Sequence, residues 1–253
     1  MYDFEILTTN TPVVRARKKN DSIALIKGKP QIYHKSFDIT EFIGEELPNI
    51  RGVESVCYFP ICFGNYKRIL SCENDYKKIK NIRVGSYDFL KKDYKYYNKV
   101  GYIPDGWEIW LEKCIDDNNR ESFINEHLEM YALDTYMGQY DRLYNTIYEV
   151  RANSELHLSK LFDYEASLYL EDDGKLPNYI TSFHKFSTID DYHKLISKYP
   201  QFEGMLRAYC TVNLVEIINQ MCVNRGFDQR FLDFDRYKRF DDSSHKKLEL
   251  ILK

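Results

Sequence analysis

One stretch in the second half of this 253-residue chain constrains the fold more than any other. Residues 137–147 read MGQYDRLYNTI, so that Asp141 and Arg142 stand together in a polar turn and Asn145 follows within the same turn. An apolar run comes next, and a second apolar run ends at Asp163. This order predicts a polar loop followed by a hairpin that returns to the loop.

The predicted hairpin explains why these polar residues would form a site. With its strands between residues 146 and 161 and its polar tip at 151–154, it would bring Asn145 and Asp163 to the same end. Metal ions bound to phosphates are hard cations that take oxygen ligands, so Asp and Asn suit them while His and Cys do not. The layout is typical of a phosphoryl-transfer site, in which Asp141 orients the attacking hydroxyl and the other two hold metal ions on ATP.

These motifs resemble the HipA-like and phosphatidylinositol-kinase-like branch of the protein-kinase fold. That branch carries an Asp-Arg-His-x-x-Asn type loop and a later metal-binding Asp. The similarity covers residues 138–145 and 158–167. The chain departs from the pattern at Leu143, where the family has His, and its Asp141-to-Asn145 spacing is one residue shorter.

The resemblance implies an α+β fold of the bilobal protein-kinase-like type. A small β-rich N-lobe would cover residues 1–90, and a larger helical C-lobe carrying the catalytic loop and metal site would cover residues 91–253. The implied cofactors are ATP and Mg²⁺. The resemblance assigns catalysis to Asp141 and Arg142, with Arg142 bracing the loop, and assigns metal binding to Asn145 and Asp163.

The first third of the chain predicts short strands and one helix. Strands are expected at 4–7, 12–17 and 22–27, and the polar turn at 18–21 between the last two fits a hairpin. A helix is expected over 36–50, with Ser36 or Asp38 as its N-cap and with Pro48 and Asn49 ending it.

In a kinase-like N-lobe this region would bind the ATP phosphates. The resemblance places Lys27 on the phosphates and Glu41 beside it as the carboxylate that holds the lysine in position. No Gly-rich phosphate loop is present, so Lys29 and Lys35 remain alternatives for the lysine. Glu45 and Glu46 remain alternatives for the carboxylate, and a solvated acidic helix face would explain all three acids almost as well.

The middle of the chain predicts further strands at 53–63 and 67–72, and then a strand within 81–90 that runs into the polar segment 91–95. We interpret this last part as the hinge between lobes, where backbone groups would contact the adenine. Asp88 lies in the hinge and is assigned to nucleotide binding.

The rest of the chain predicts helices. Apolar residues at spacings of three and four indicate a buried helix over 121–137 that leads into the polar turn, with His127 as a core histidine rather than a base. Further helices are expected from Thr188 or Asp190 to residue 199, over 202–224 with a stop at Arg225-Gly226, and over 245–252.

Composition excludes several classes of protein. The net charge of −3 argues against a strongly basic nucleic-acid binder. No run reaches the roughly 18 apolar residues of a membrane span, and the N-terminus lacks a basic stretch before an apolar core, so a cytoplasmic protein is expected. The six cysteines form no C-x-x-C pair and are expected to be reduced, mostly buried thiols.

Together these features predict an ATP-dependent phosphotransferase, most simply a protein Ser/Thr kinase that uses Mg²⁺. The departures in the catalytic loop leave open a pseudokinase or nucleotide-binding interaction protein without turnover. A lipid or small-molecule kinase, or a nucleotidyl transferase, also remains open, whereas a metal-dependent hydrolase is disfavoured because no His-x-His or His-Glu-x-x-His cluster exists. The expected partners are ATP, a protein substrate and an antitoxin or regulatory protein.

Overall fold

The structure is a computed structural model. It describes residues 4–6, 14–18, 23–32, 39–55, 57–63, 66–72, 84–85, 117–139, 147–150, 156–158, 160–161, 164, 167–168, 179–181, 184–186, 188–226 and 229–253. Within these residues, no helix is both long enough and apolar enough to cross a bilayer.

An antiparallel five-stranded sheet is built from the first third of the chain. Its strands are β1 (Phe4–Ile6), β2 (Val14–Lys18), β3 (Ile23–Ile32), β4 (Cys57–Phe63) and β5 (Tyr66–Cys72). They lie in the order β1-β2-β3-β5-β4, so that β3 is the central strand. The strands expected around the polar turn at 18–21 are confirmed as the β2–β3 hairpin, in which Val14 pairs with Ile26.

Helix α1 (Thr40–Ile50) lies in the sequence between β3 and β4 and contacts β4. It ends at residue 50 as predicted, but it begins later than predicted and contains the proline that was expected to stop it. It begins at Thr40 without a side-chain cap, while the predicted caps Ser36 and Asp38 lie outside the described residues. The prediction that Pro48 ends the helix is wrong, because the helix continues through Pro48 to its last turn.

The neighbouring chain compensates for the donor that Pro48 lacks. In a regular helix the N–H of residue 48 would donate to the carbonyl of Gly44, but proline has no N–H. The Ser55 hydroxyl lies 3.3 Å from the Gly44 carbonyl oxygen and 3.0 Å from that of Leu161, so its single proton is shared between these two acceptors. The helix can therefore include Pro48 without leaving that buried carbonyl unsatisfied.

Two smaller sheets follow. Strands β6 (Val84–Gly85), β7 (Ile147–Val150) and β8 (Leu156–Leu158) form one sheet, in which Tyr148 pairs with Leu158. The hairpin predicted between residues 146 and 161 is thus confirmed. Strands β9 (Tyr179–Thr181) and β10 (His184–Phe186) form a second hairpin that the sequence did not predict.

The helical part of the chain comprises α2 (Asp117–Met137), α3 (Ile189–Lys198), α4 (Gln201–Tyr209), α5 (Leu214–Arg225) and α6 (Phe234–Ile251). Of the two predicted caps of helix α3, Thr188 and Asp190, the structure selects Thr188, which forms a reciprocal capping box with Asp191. Helix α5 ends as predicted at Gly226, whose φ is +68°.

Two helix predictions need correction. The apolar stripe over 202–224 predicted one helix, but the chain breaks between α4 and α5 because the Asn213 side chain accepts the N–H of Glu216 and begins a new helix. The predicted helix over 245–252 is only the last part of α6. This helix begins at Phe234 with Asp233 as its N-cap, and the Asp233 side chain accepts the N–H of Arg236.

Helix α2 lies at the centre of the core and contacts α4, α6 and β8. Its second half is buried on all sides, with every residue from 130 to 139 in the buried class. His127 is also fully buried, and its Nδ1–H donates to the carbonyl of Phe123 at 2.8 Å. The prediction that His127 is a core histidine is therefore confirmed.

Candidate active site

The polar turn of the sequence begins where α2 ends, and Gly138 sets the direction of the chain there. Gly138 has a φ of +62°, and the following N–H, from Gln139, donates to the carbonyl of Asp134 at 3.0 Å. This is a Schellman cap, in which glycine adopts the left-handed conformation that other residues disfavour. The cap stops the helix and directs the chain toward Asp141.

The last turn of α2 is fixed by hydrogen bonds to α6. The Tyr136 hydroxyl donates to Asp241 Oδ1 at 2.5 Å, and Asp241 Oδ2 accepts the N–H of Leu214 at 3.1 Å. The Ser244 hydroxyl donates to the carbonyl of Tyr136 at 2.8 Å. Burial first, and then the charge of Asp241, raises the pKa of Tyr136 well above its ordinary value, so the phenol remains a donor. The base of the polar turn is thus held on both its side chain and its backbone.

The segment around the predicted metal ligand Asp163 is tied to the chain just after α1. Ser55 and Leu161 form a parallel β-bridge, and the N–H of Leu161 donates to the carbonyl of Glu54 at 3.0 Å. The Ser55 hydroxyl is 3.0 Å from the carbonyl oxygen of Leu161. Because the Ser55 hydroxyl also lies 3.3 Å from the Gly44 carbonyl oxygen, one buried serine connects α1 with Leu161, two positions before Asp163.

On the other side of Asp163, Tyr164 packs directly against α1. Its ring is fully buried, and a Cβ atom at Gly44 would overlap it. Its hydroxyl is 3.3 Å from the Ser55 Oγ. Glycine at position 44 therefore has a steric reason, because only a residue without a side chain lets α1 approach this ring.

The same segment then returns to the end of α2. The N–H of Leu168 donates to the carbonyl of Met137 at 2.8 Å, and Leu168 has a φ of +60°. A positive φ is uncommon and unfavourable for leucine, so the surrounding contacts must hold it. This bond joins the chain after Asp163 to the residue immediately before Gly138.

Strand β8, which leads into this segment, is fixed by a carboxylate from α2. Glu126 Oε1 accepts a hydrogen bond from His157 Nδ1 at 2.7 Å, and Glu126 Oε2 accepts the N–H of Leu158 at 2.7 Å. A carboxylate can only accept when ionised, so the Nδ1 atom of His157 carries the proton. The hairpin is therefore attached to the same helix that presents the polar turn.

Helix α1 is held by ion pairs on two sides. Arg225 Nη2, at the end of α5, lies 3.0 Å from Glu45 Oε1 and 2.7 Å from Glu46 Oε1. Arg51, just after α1, places its Nη2 3.1 Å from Glu129 Oε1 of α2. Burial raises the pKa of Glu129 above its ordinary value, although Arg51 opposes this.

The predicted site residues fall mainly outside the described part of the chain. Asp141, Arg142, Asn145, Asp163 and Asp88 all lie outside the described residues. Their assigned roles therefore stay predictions.

The backbones of the two remaining residues are placed. Lys27 is on the central strand β3, opposite Ile69 of β5, and Glu41 is the second residue of α1. The alternatives Glu45 and Glu46 both contact Arg225, and whether either of them also serves the lysine stays a prediction.

The structure brings together the attachment points of the predicted site rather than the predicted residues themselves. Leu161 and Tyr164 are attached to α1 and the chain after it, while Leu168 is attached to the end of α2. Sequence reasoning missed Gly44, Ser55 and Leu168, which carry these attachments. Gly44 alone gave a signal, as a glycine in the interior of a predicted helix.

Among the described side chains, no group of three or more His, Cys, Asp or Glu residues is arranged to hold a metal ion. A cleft of about 730 Å³ lies against the first half of α2, between the chain after α1 and β8. Its inner carboxylates, Glu126 and Glu129, are already paired with His157 and Arg51.

Two solved structures are similar to almost the whole chain. The Helicobacter pylori proinflammatory kinase CtkA is 14% identical, with a TM-score of 0.54 over 98% of this chain and 97% of that one. HipA of Shewanella oneidensis MR-1, solved in a toxin–antitoxin complex with HipB and operator DNA, is 13% identical with a TM-score of 0.54. That match covers 97% of this chain and 65% of the HipA chain.

Both neighbours are HipA-like kinases, and the chain shares their kinase-like fold. The resemblance drawn from residues 138–145 and 158–167 is therefore confirmed at the level of the fold. No protein-family model matches the sequence, and a search of curated proteins finds no match.

Proposed function

We propose that this chain is an ATP-dependent protein kinase of the HipA-like type that transfers phosphate to Ser or Thr with Mg²⁺. One observation carries the proposal. The chain after Asp163 is hydrogen-bonded through Leu168 to Met137, the last residue of α2 before the Asp141 loop. The two segments that a kinase needs in one pocket are thus attached to one point, within a fold shared with two kinases.

In this proposal each residue has a defined role. Asp141 orients the substrate hydroxyl and accepts its proton, and Arg142 braces the loop. The oxygens of Asn145 and Asp163 are donors that suit a hard cation, so this donor set fits magnesium. When bound, magnesium neutralises the charge that develops on the transferred phosphoryl group.

The N-terminal third would bind the nucleotide. Lys27, on the central strand, contacts the phosphates and is held there by Glu41 of α1, while Asp88 lies in the hinge beside the adenine. Residues 1–90 form the N-lobe and residues 91–253 the C-lobe in this proposal. Catalysis then rests on positioning and charge stabilisation rather than on a covalent intermediate.

The neighbours also suggest partners. Because the Shewanella HipA structure contains the antitoxin HipB, an antitoxin or regulatory protein is proposed as a partner of this chain. The proposed acceptor is a cytoplasmic protein.

A second function stays open because of two departures from the family pattern. Leu143 replaces the family His, and the loop between Asp141 and Asn145 is one residue shorter. A chain that binds nucleotide without turnover, or one that phosphorylates a lipid or small molecule, accounts for this departure.

The test is the intact mass of the purified protein after incubation with magnesium and ATP. The wild type should gain one or more phosphates, and Asp163→Ala should gain none, since losing a metal ligand costs about 10³-fold or more in rate. Asp242→Ala is the matched control, because Asp242 is an exposed residue of α6 that pairs with Lys238 four residues earlier in the same helix.

The outcomes separate the candidate functions. Phosphate gain in wild type and Asp242→Ala alone establishes an autophosphorylating kinase. Without phosphate gain, a thermal shift with ATP indicates a pseudokinase or a kinase of other substrates. If ATP also produces no thermal shift, the proposed function is wrong.

A further inference from the structure

Arg225 contacts two consecutive carboxylates of α1 although it lies 179 residues away from Glu46 in sequence. Its Nη2 is 3.0 Å from Glu45 Oε1 and 2.7 Å from Glu46 Oε1, and its Nε lies 3.2 Å from the same Glu46 oxygen. The guanidinium carbon also lies 5.2 Å from the centre of the Phe42 ring. One side chain of α5 therefore contacts three residues on two successive turns of α1.

These contacts are more protected than an ordinary surface ion pair. The exposed fractions of the side chains are 19% for Arg225, 10% for Glu45 and 35% for Glu46. Burial alone would lower the pKa of Arg225, but hydrogen bonds and charge from Glu45 and Glu46 outweigh burial and raise it. Without Arg225, two adjacent carboxylates would remain partly buried beside each other, which is unfavourable.

The position of these contacts within α1 is informative. Glu41, the proposed partner of Lys27, is one turn before Glu45 in the same helix, about 6 Å along its axis. A helix is stiff over such a distance, so fixing Glu45 and Glu46 also fixes the backbone of Glu41. Gly44 against Tyr164 adds a steric contact at the same level of the helix.

We propose that Arg225 is a positioning residue for the ATP phosphates, because its guanidinium holds α1 in the orientation from which Glu41 supports Lys27. This inference rests on the proposed function. Arg225 itself contacts neither ATP nor the acceptor. From the C-terminal part of the chain, it sets the position of Glu41 relative to Lys27.

The experiment compares Arg225→Met with the wild type. Methionine keeps apolar contact with Phe42 but removes the charge and both ion pairs. We expect kcat/KM for ATP to fall about tenfold, which corresponds to about 1.4 kcal/mol of transition-state stabilisation. Hydrogen exchange of the α1 amides of residues 43–47, 49 and 50 should quicken about tenfold, while exchange in α6 stays unchanged.

Two further variants separate positioning from general stability. Arg207→Met is the matched control, because Arg207 also pairs with a carboxylate, Glu203 Oε1 at 2.6 Å, but on an exposed face of α4. It should change neither measurement by more than about twofold. The double variant Arg225→Glu with Glu46→Arg restores the opposite charges, and it should recover most of the lost kcat/KM.

Faster hydrogen exchange of the α1 amides together with a reduced kcat/KM in Arg225→Met supports the positioning role of Arg225, when the double variant also recovers kcat/KM. Unchanged α1 exchange in Arg225→Met overturns it, as does faster exchange with kcat/KM within twofold of the wild type. A wild type that neither binds ATP nor transfers phosphate overturns the proposed function itself, and the thermal shift identifies that case before any variant is made.

Discussion

Two regions next to the candidate active site are held by different physical means. The end of α2, which presents the polar turn, is fixed by short hydrogen bonds and by Tyr136 stacked on Tyr209, with ring centres 5.7 Å apart. Helix α1 also packs in the core, through Phe42, Ile43 and Leu47, but it is held in addition by the ion pairs of Arg225 and Arg51. The hydrogen bonds of the first region are almost completely buried, whereas these ion pairs retain partial access to water.

The difference implies different sensitivities. A buried hydrogen-bond network fails when one of its members is removed, because the remaining groups lose their partners in a medium without water. Partly exposed ion pairs respond gradually to salt and substitution, since solvent and ions screen them. The end of α2 should therefore be insensitive to salt, whereas the ion pairs that hold α1 should weaken as the salt concentration rises.

The largest effect is expected at Asp241, the buried acceptor beneath α2. Asp241→Ala leaves both the Tyr136 hydroxyl and the N–H of Leu214 without their acceptor. Because each orphaned group costs roughly 1–3 kcal/mol, the free energy of unfolding should fall by about 4 kcal/mol. Urea denaturation measures this change.

The neighbouring residue Asp242 provides the control for this prediction. It pairs with Lys238 at 2.9 Å on the exposed face of α6, so Asp242→Ala should cost about 0.5 kcal/mol or less. Equal losses in the two variants would contradict the view that the α2 base is a buried network.

A second effect concerns pH and His127, which lies inside α2. Burial lowers the pKa of His127 from 6.5 to about 4, although its hydrogen bond to Phe123 opposes the shift. Between these pH values the unfolded chain binds a proton that the folded chain does not bind. Stability is therefore lost as pH falls from about 6.5 to about 4, by as much as about 3 kcal/mol from this group.

His127→Gln tests this contribution, because glutamine retains a donor for the Phe123 carbonyl but does not titrate in this range. Below pH 7 the free energy of unfolding of the wild type should fall faster with decreasing pH than that of the variant, whatever the difference between them at neutral pH. Parallel curves for the two proteins down to pH 4 would refute the assignment.

The third effect lies at the contact between α1 and the Asp163 segment. Gly44→Ala would place a Cβ atom within the Tyr164 ring, and neither the helix nor the buried ring can move freely. The expected loss is about 2 kcal/mol of unfolding free energy from overpacking. Gly204→Ala is the matched change, because no atom lies within 4 Å of a Cβ there, and it should stabilise α4 by about 0.7 kcal/mol. Opposite signs by thermal denaturation would confirm that Gly44 serves a contact.

The sequence predicted elements whose signals are local. The capping box at Thr188, the helix stop at Gly226 and the hairpin β7–β8 all depend on residues within a few positions of one another. The break at Asn213 was missed because a continuous apolar stripe outweighed a single capping residue.

Contacts between distant parts of the chain could not be predicted in this way. Nothing near Arg225 indicates that it pairs with α1, and nothing near Ser55 indicates that its hydroxyl serves Gly44 beside Pro48. These contacts arise only when the fold is assembled. The roles of Asp141 and Asp163 were assigned because the order of these residues along the chain resembles that of a kinase family. These roles remain predictions.

The smallest effect tests whether the ion pairs that hold α1 respond to salt. Arg51→Met removes the partner of Glu129, whose side chain is 16% exposed, and should cost about 1 kcal/mol of unfolding free energy at low ionic strength. If α1 is held by screened charges, this cost should shrink as salt shortens the Debye length from about 30 Å at 0.01 M to about 3 Å at 1 M. The cost of Asp241→Ala should change much less over the same range, because the hydrogen bonds of Asp241 with the Tyr136 hydroxyl and the N–H of Leu214 are buried, and its longer contact with the partly exposed His245, at 3.4 Å, is a smaller part of the effect. Denaturation series at several salt concentrations compare the two slopes, and an equal salt dependence would mean that both regions are held in the same way.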